Sequence, residues 1–166
     1  MTFHIEPYGG RTASSVGEDI RYIYHRYGRH PGTYKQESRN GAMAPVYFLF
    51  VVSSQHMQDE ADSWREVVAE MRGSEMDGVF LSLFVDERDY QFIDDVGFDG
   101  AYSYLGSAGM TKGSTTGNWK RIRECLRDKL FYPSISPGYN DTNIRPWNSH
   151  TTNSRQSGNY YDKMWS

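Results

Sequence analysis

The chain has 166 residues, with 18 Lys and Arg against 21 Asp and Glu, one cysteine, and 13 Tyr, 8 Phe and 4 Trp. That length suits one domain, and a near-neutral balance with dispersed basic residues leaves no electrostatic footprint for nucleic acid, whose binding needs several neutralised phosphates. The longest apolar run, Val46 to Val52, is far short of the roughly 20 residues that span a bilayer, nothing near Met1 has the charged and apolar regions of a signal peptide, and a lone Cys125 forms no internal disulfide.

Thr2 to Tyr8 is the first strand candidate, closed by Gly9-Gly10. Ser14 and Ser15 ahead of Glu18-Asp19 predict a helix start, with Ile20, Ile23, Tyr24 and Tyr27 at helical spacing and Gly28 as its stop. Pro45 to Val52 is a continuous run of β-formers, as in a strand buried on both faces. A helix over about Gln58 to Met71 follows, with Ala61, Trp64, Val68 and Met71 on one face and Gly73 beyond. Gly78 to Val85 is the third strand, followed by a short helix through Phe92 and Ile93 that Gly97 stops. Ala101 to Leu105 is the fourth strand, and a helix from about Thr116 to Asp128 carries Trp119, Ile122, Cys125 and Leu126. Phe131 to Ile135 is the fifth, ahead of a polar stretch with Pro and Gly and a helix start at Asn159-Tyr160.

Strands that alternate with helices, without hairpin signals between them, predict an α/β fold with a parallel sheet. A doubly wound sheet is complete with five or six strands, whereas a (β/α)8 barrel needs eight and about 250 residues. No Gly-x-Gly-x-x-Gly follows the first strand, and Gly9-Gly10-Arg11 is no phosphate loop. Leu, Ile, Val and Phe number only 30 of 166, so the aromatic residues must carry much of the core.

His4, Glu6 and Tyr8 alternate along the first strand and so project to one side, in a barrel its lumen and mouth. An imidazole, a carboxylate and a phenol there suit hydrogen bonding to hydroxyls; an edge strand with a wet polar face is the competing reading. Asp86, Glu87, Arg88 and Asp89 either place acids in a cleft or satisfy the macrodipole of a helix start. Between Pro133 and Asn148, Tyr139, Arg145 and Trp147 share one Pro-restrained loop. An aromatic face beside polar side chains makes a platform for a sugar, which has an apolar face and a polar rim; a stiff structural loop is the alternative. The Asn140-Asp141-Thr142 sequon is discounted as a chance match, and His25, His30, His56 and His150 stand singly as surface residues. The Trp119, Ile122 and Leu126 stripe reads as helix core, and no Cys/His cluster has zinc spacing.

Several stretches together carry a resemblance: Phe3-His-Ile-Glu-Pro-Tyr8 with Gly10-Arg11, Asp77-Gly-Val-Phe80, Gly97-Phe-Asp-Gly100 with Tyr102 and Tyr104, Asn118-Trp119-Lys120, and Pro137-Gly-Tyr139 with Asp141-Thr142 and Ile144-Arg-Pro-Trp-Asn148. In this order and over nearly the whole chain, they resemble glycoside hydrolase family 99, the endo-α-1,2-mannosidases, especially its animal members. The resemblance implies a (β/α)8 TIM barrel, here with about five βα units in a single partial domain over residues 1–166. It implies metal-free, cofactor-free, retaining cleavage of an internal α-1,2-mannosidic bond in glucosylated high-mannose N-glycans, in the Golgi. In such a site one carboxylate assists attack by the sugar's own 2-hydroxyl and a second is general acid/base, unlike the usual pair with a direct nucleophile. Carried over, Glu6 and Tyr139 contact substrate, Arg145 and Trp147 belong to the same loop, and His4 and Tyr8 join them by strand geometry.

The sequence also departs from the family. The catalytic glutamates of the resemblance lie in a Glu-Trp-His-Glu stretch, which these 166 residues do not contain. Asp86-Glu87-Arg88 stands where Glu-Glu-Gly is usual, and Ser136 where Gly is usual. The expectation is therefore a partial barrel without hydrolytic activity alone. The alternatives are a non-catalytic truncated isoform or mannoside-binding pseudoenzyme, and an unrelated doubly wound domain.

Overall fold

The computed structural model describes residues 1–6, 9–51, 61–104, 109–147 and 151–165. The expected apolar stretches form the strands β1 (Phe3–Ile5), β3 (Met43–Leu49), β4 (Val79–Leu83), β5 (Gly100–Tyr102) and β6 (Leu130–Tyr132), with a further short strand β2 (Lys35–Glu37) ahead of β3. The sheet order is β1-β3-β4-β5-β6, all parallel, with β2 antiparallel on β3. Between these strands run α1 (Ala13–Ile23), α2 (Ala61–Met71), α3 (Asp89–Val96) and α4 (Trp119–Leu126). The positions proposed for Pro7, Tyr8, Val52, Gln58 and Leu105 lie outside the described residues.

The parallel order never reverses along the described strands, which separates the two candidate architectures. A parallel crossover is right-handed, so winding in one direction places every helix on the same face, and only a reversal would move helices to the other. The core reflects this. Tyr47, Leu49, Phe80, Phe84 and Ala101 point to one face and pack with Val16 and Ile20 of α1, Trp64, Val68 and Met71 of α2, Phe92, Ile93 and Val96 of α3, and Ile122 and Leu126 of α4. The alternate residues Val46, Val79, Leu81, Leu83 and Tyr102 form a second cluster with Phe48, Phe50, Leu130 and Tyr132 and, among the described residues, no helical partner. One-sided winding is that of a barrel wall.

Curvature confirms the barrel geometry. Phe48 on β3 and Tyr132 on β6 stand three strand spacings apart, about 14 Å on a flat sheet, yet their ring centroids are 5.7 Å apart. The helix-free face is therefore concave, and strands that are not neighbours meet across it.

Local chemistry sets the element ends. Thr12 caps α1, accepting the Ser15 N–H at 3.2 Å while the Ser15 hydroxyl accepts the Thr12 N–H at 3.0 Å. This reciprocal pair starts the helix earlier than the Ser14-Ser15 reading. After Ile23 the helix widens into a π-helical turn, Tyr24–Gly28. Gly97, in the left-handed region at φ 84°, ends α3. The strands are shorter than the apolar runs because other acceptors and prolines take over the ladder. The Val85 N–H donates to the Asp89 side chain instead of to a strand, and Pro133 has no N–H with which to continue β6.

Two hairpin-like pairings correct the expectation of a chain without hairpins. β2 folds back on β3 through a turn in which the Asn40 side-chain oxygen accepts the Ala42 N–H at 2.8 Å and Gly41 takes φ +79°. The Asn-Gly dipeptide is itself a turn signal that the helix-by-helix reading passed over. The second lies in the β6–α5 connection, where β7 (Gly138–Tyr139) pairs antiparallel with β8 (Thr151–Thr152) before α5 (Asn159–Trp165).

The N-terminal edge of the sheet is tied by charge. Arg72, at the end of α2, donates to Asp77 Oδ1 and the Gly78 carbonyl at 2.8 Å each, to Asp99 Oδ2 at 2.7 Å and to the Gly97 carbonyl at 3.2 Å. Asp99 Oδ2 also accepts the Phe80 N–H at 2.8 Å, and the Arg39 Nε lies 2.9 Å from its other oxygen. Glycine is required twice nearby. A Cβ on Gly78 would lie 2.7 Å from the Tyr47 ring, and one on Gly100 only 2.1 Å from the Leu130 carbonyl oxygen. The Asp77-Gly-Val-Phe80 and Gly97-Phe-Asp-Gly100 motifs are thus explained by the closure of this edge.

Candidate active site

At the opposite edge, the carboxyl ends of the parallel strands, polar side chains gather on the concave face. Period-two alternation in β1 aims His4 and Glu6 the same way, and the His4 Nδ1 lies 2.8 Å from the Glu6 carboxylate. The other ring nitrogen, Nε2, is 2.8 Å from the Tyr102 hydroxyl on β5. β3 and β4 stand between these two strands in the sheet, so the hydrogen bond exists only because the wall curls. Tyr104, two residues on and hence on the same side as Tyr102, stacks on the His4 ring at 5.5 Å with 10° between planes. Phe50, at the end of β3, meets His4 and Tyr104 edge-on, and Phe48 meets Tyr102 edge-on at 5.2 Å.

This packing sets the electrostatics. Burial, then the negative charge of Glu6 and the neighbouring Tyr104, push the Tyr102 phenol well above the ordinary tyrosine range. Deeper on the same face, burial and then Tyr34 push Tyr132 up to about 12, and its hydroxyl bonds the Gln36 side chain. Both phenols stay protonated at neutral pH. Glu6 keeps a half-exposed carboxylate with 55 % of its side-chain surface open, an acceptor at the mouth beside the His4 ring. Among the described residues, no three His, Cys, Asp or Glu side chains converge as a metal centre would need.

The other sequence candidates fall in different places. Asp89 is wholly buried and accepts the N–H groups of Val85 and Asp86 at 2.6 and 2.8 Å, so it shapes the β4–α3 turn. Asp86 is engaged by Arg88 at 2.6 Å, which holds its carboxyl below the usual range, and Glu87 pairs with Arg121 at 3.0 Å. Tyr139 is half-buried in β7, and Ser136, where the resemblance has Gly, accepts the Gly138 N–H at 3.0 Å. Arg145 lies 3.9 Å from Asp141, and Trp147 is 82 % exposed, so it is not packed against the His4 cluster. His25 and His30 are exposed as expected, Trp119, Ile122 and Leu126 join the core as expected, and Tyr8, His56 and His150 lie outside the described residues. Tyr102, Tyr104 and Phe50 entered the sequence reading only as motif or strand residues. The alternation in Tyr102-Ser103-Tyr104 carried the same one-sided signal as His4 and Glu6.

The site sits where barrel enzymes keep theirs. The profile of glycosyl hydrolase family 99 matches residues 1–166. A glycoprotein endo-alpha-1,2-mannosidase-like protein of Danio rerio is 39 % identical over 98 % of this chain and 37 % of its own length. A glycoprotein endo-alpha-1,2-mannosidase of Rattus norvegicus is 36 % identical over 98 % of this chain and 36 % of its own. A solved GH99 endo-alpha-mannosidase from Bacteroides thetaiotaomicron, in complex with bis-tris-propane, superposes with TM-score 0.82 at 37 % identity, covering 99 % of this chain and 51 % of that one. The chain thus spans little more than a third of these curated relatives and about half of the solved structure. Profile, identity and barrel-wall geometry coincide over its whole length, and the chain belongs to glycosyl hydrolase family 99.

Proposed function

We propose that this chain supplies the substrate-cradling part of a glycoside hydrolase of the endo-α-1,2-mannosidase type, acting on glucosylated high-mannose N-glycans. The observation that carries the reading is the Glu6–His4–Tyr102 chain on the concave face, bracketed by Tyr104 and Phe50. Glu6 accepts hydrogen bonds from sugar hydroxyls, the rings offer an apolar face, and Tyr139, Arg145 and Trp147 extend the same surface as the β6–α5 connection closes over a glycan. Hydrolysis needs a general base and a general acid, and the residues present hold no Glu-Trp-His-Glu stretch. The 166-residue polypeptide alone is accordingly a mannoside binder with no turnover. The Golgi is the compartment that goes with such a substrate; no helix among the described residues is long and apolar enough to cross a membrane.

The test pairs an endo-mannosidase assay with titration of a glucosylated α-1,2-mannoside followed by NMR. Saturable binding without product release is expected. Glu6→Gln should weaken binding about tenfold or more, the worth of one hydrogen bond to a charged group. Turnover above a matched control would overturn the non-catalytic reading, and absence of binding would overturn the cradle. A second reading, a mannoside-binding protein with no catalytic counterpart, rests on the same missing stretch; an mRNA that reads on from Ser166 into Glu-Trp-His-Glu would dismiss it.

A further inference from the structure

Sequence alone gives Asn140-Asp141-Thr142, the chain's single Asn-x-Ser/Thr sequon, only chance weight. In the fold it is a surface turn. Asn140 is exposed, directly after the half-buried Tyr139, and Ile144 and Trp147 beyond it are exposed as well. The Asn140 side chain closes the turn: its Oδ1 accepts the Thr142 N–H at 3.1 Å and the Thr142 hydroxyl at 2.8 Å. The Asp141 carbonyl then accepts the N–H groups of Ile144 and Arg145 at 2.8 Å each.

A backbone N–H only donates, so its partner in the Asn140 amide is the oxygen, and the nitrogen is the end the turn does not use. No hydrogen bond among the described residues engages that nitrogen. Other asparagines spend theirs on the fold: Asn118 Nδ2 donates to the Lys112 carbonyl at 3.1 Å and Asn40 Nδ2 to Asp77 at 3.0 Å. A sugar joined to Asn140 Nδ2 replaces one amide hydrogen and leaves Oδ1 in place. A glycan added before folding is therefore retained without loss of a hydrogen bond.

We propose that Asn140 is an N-glycosylation acceptor, taking an oligosaccharide from a polyprenyl-diphosphate donor in the lumen of the secretory pathway. The inference rests on the Golgi part of the functional reading for its compartment, and on the turn for its position. In the transfer, Asn140 Nδ2 attacks the anomeric carbon of the donor. The C1–O bond to the diphosphate breaks, the C1–Nδ2 bond forms, polyprenyl diphosphate leaves, and one amide proton passes to a base of the transferase. The Thr142 hydroxyl is the second element of the recognised motif.

The experiment expresses the full chain in secretory cells behind a cleavable signal sequence, with an Asn-Ala-Thr tag appended after Ser166 that reports entry into the lumen. Peptide mass spectrometry, with and without peptide N-glycosidase, reads Asn140 and the tag. Both are expected to carry glycan, with occupancy at Asn140 lost in Asn140→Asp and Thr142→Ala and kept in Thr142→Ser. Asn140→Asp retains an acceptor oxygen for both Thr142 bonds, so it should melt with the unglycosylated wild type, which excludes misfolding as the cause of the loss. An occupied tag beside an unmodified Asn140 would overturn the acceptor. Fractionation of the natural protein decides the compartment separately: a location outside the secretory pathway would overturn the Golgi reading and the modification in the cell together, even where the signal-bearing chain is glycosylated.

Discussion

The two edges of this sheet use charge in opposite ways. At the N-terminal edge, Arg72 makes four hydrogen bonds to Asp77, Asp99 and two carbonyls, and Asp99 is 7 % exposed. At the carboxyl edge Glu6 is half open and touches one imidazole. Buried charges that the fold pairs with one another hold strands together and present little to a ligand. A carboxylate held from one side only contributes little to folding and keeps its acceptor capacity for a substrate. Barrel folds divide stability and chemistry between their two ends for this reason.

The comparison is broken most severely at Gly100. Gly100→Ala drives a methyl group into the Leu130 carbonyl, at 2.1 Å, and should sever β5 from β6. Loss of a cooperative urea transition, or at least about 3 kcal/mol of destabilisation, is expected by circular dichroism. Arg72→Met leaves Asp77 and Asp99 without their shared cation and should cost about 3 kcal/mol. The Arg72→Met/Asp99→Asn double variant should recover part of it, and folded protein should bind mannoside as before. Glu6→Gln is the mirror experiment: a melting temperature within a degree or two of wild type, with stability changed by under about 0.5 kcal/mol, but weakened mannoside binding.

A finer division concerns two buried phenols. Burial raises Tyr47 on the helix-covered face, and burial with Glu6 raises Tyr102 on the concave face. A folded-state value above the unfolded value near 10 means the stabilisation is complete below about pH 10 and lost as pH climbs through the folded value. Thermal melts between pH 8 and 12 should show this alkaline fall. Tyr47→Phe and Tyr102→Phe should each flatten it, yet only Tyr102→Phe should alter mannoside binding. The smallest effect belongs to Arg88→Ala, which returns the depressed Asp86 carboxyl toward the ordinary range. Carbon-detected NMR titration reads this directly, with stability almost unchanged because solvent screens the Arg88 charge. Because Asp86 is depressed when folded, what the pair contributes is present above about pH 4 and disappears as pH falls through the Asp86 value.

Local rules made much of this legible from sequence. The run from Pro45 announced β3, Gly97 announced the end of α3, and alternation put His4 beside Glu6. What local rules did not supply was the partnership of β1 with β5. Contact between His4 and Tyr102 depends on the curl of the whole wall, which no window of a few residues encodes. The β2–β3 hairpin was written in Asn40-Gly41 and hidden by the stronger helix–strand rhythm around it. The buried duty of Asp89 was masked for a different reason, since an acid in a first helical turn already had a sufficient explanation in the macrodipole.

One-directional winding has an evolutionary side. When every crossover returns over the same face, each segment at the carboxyl rim is anchored independently by its own strand and helix. The β7–β8 hairpin shows the result: it is built wholly within the β6–α5 connection, and the ladder from β1 to β6 is complete without it. Such a rim can exchange one loop at a time without disturbing the Arg72 knot at the far edge.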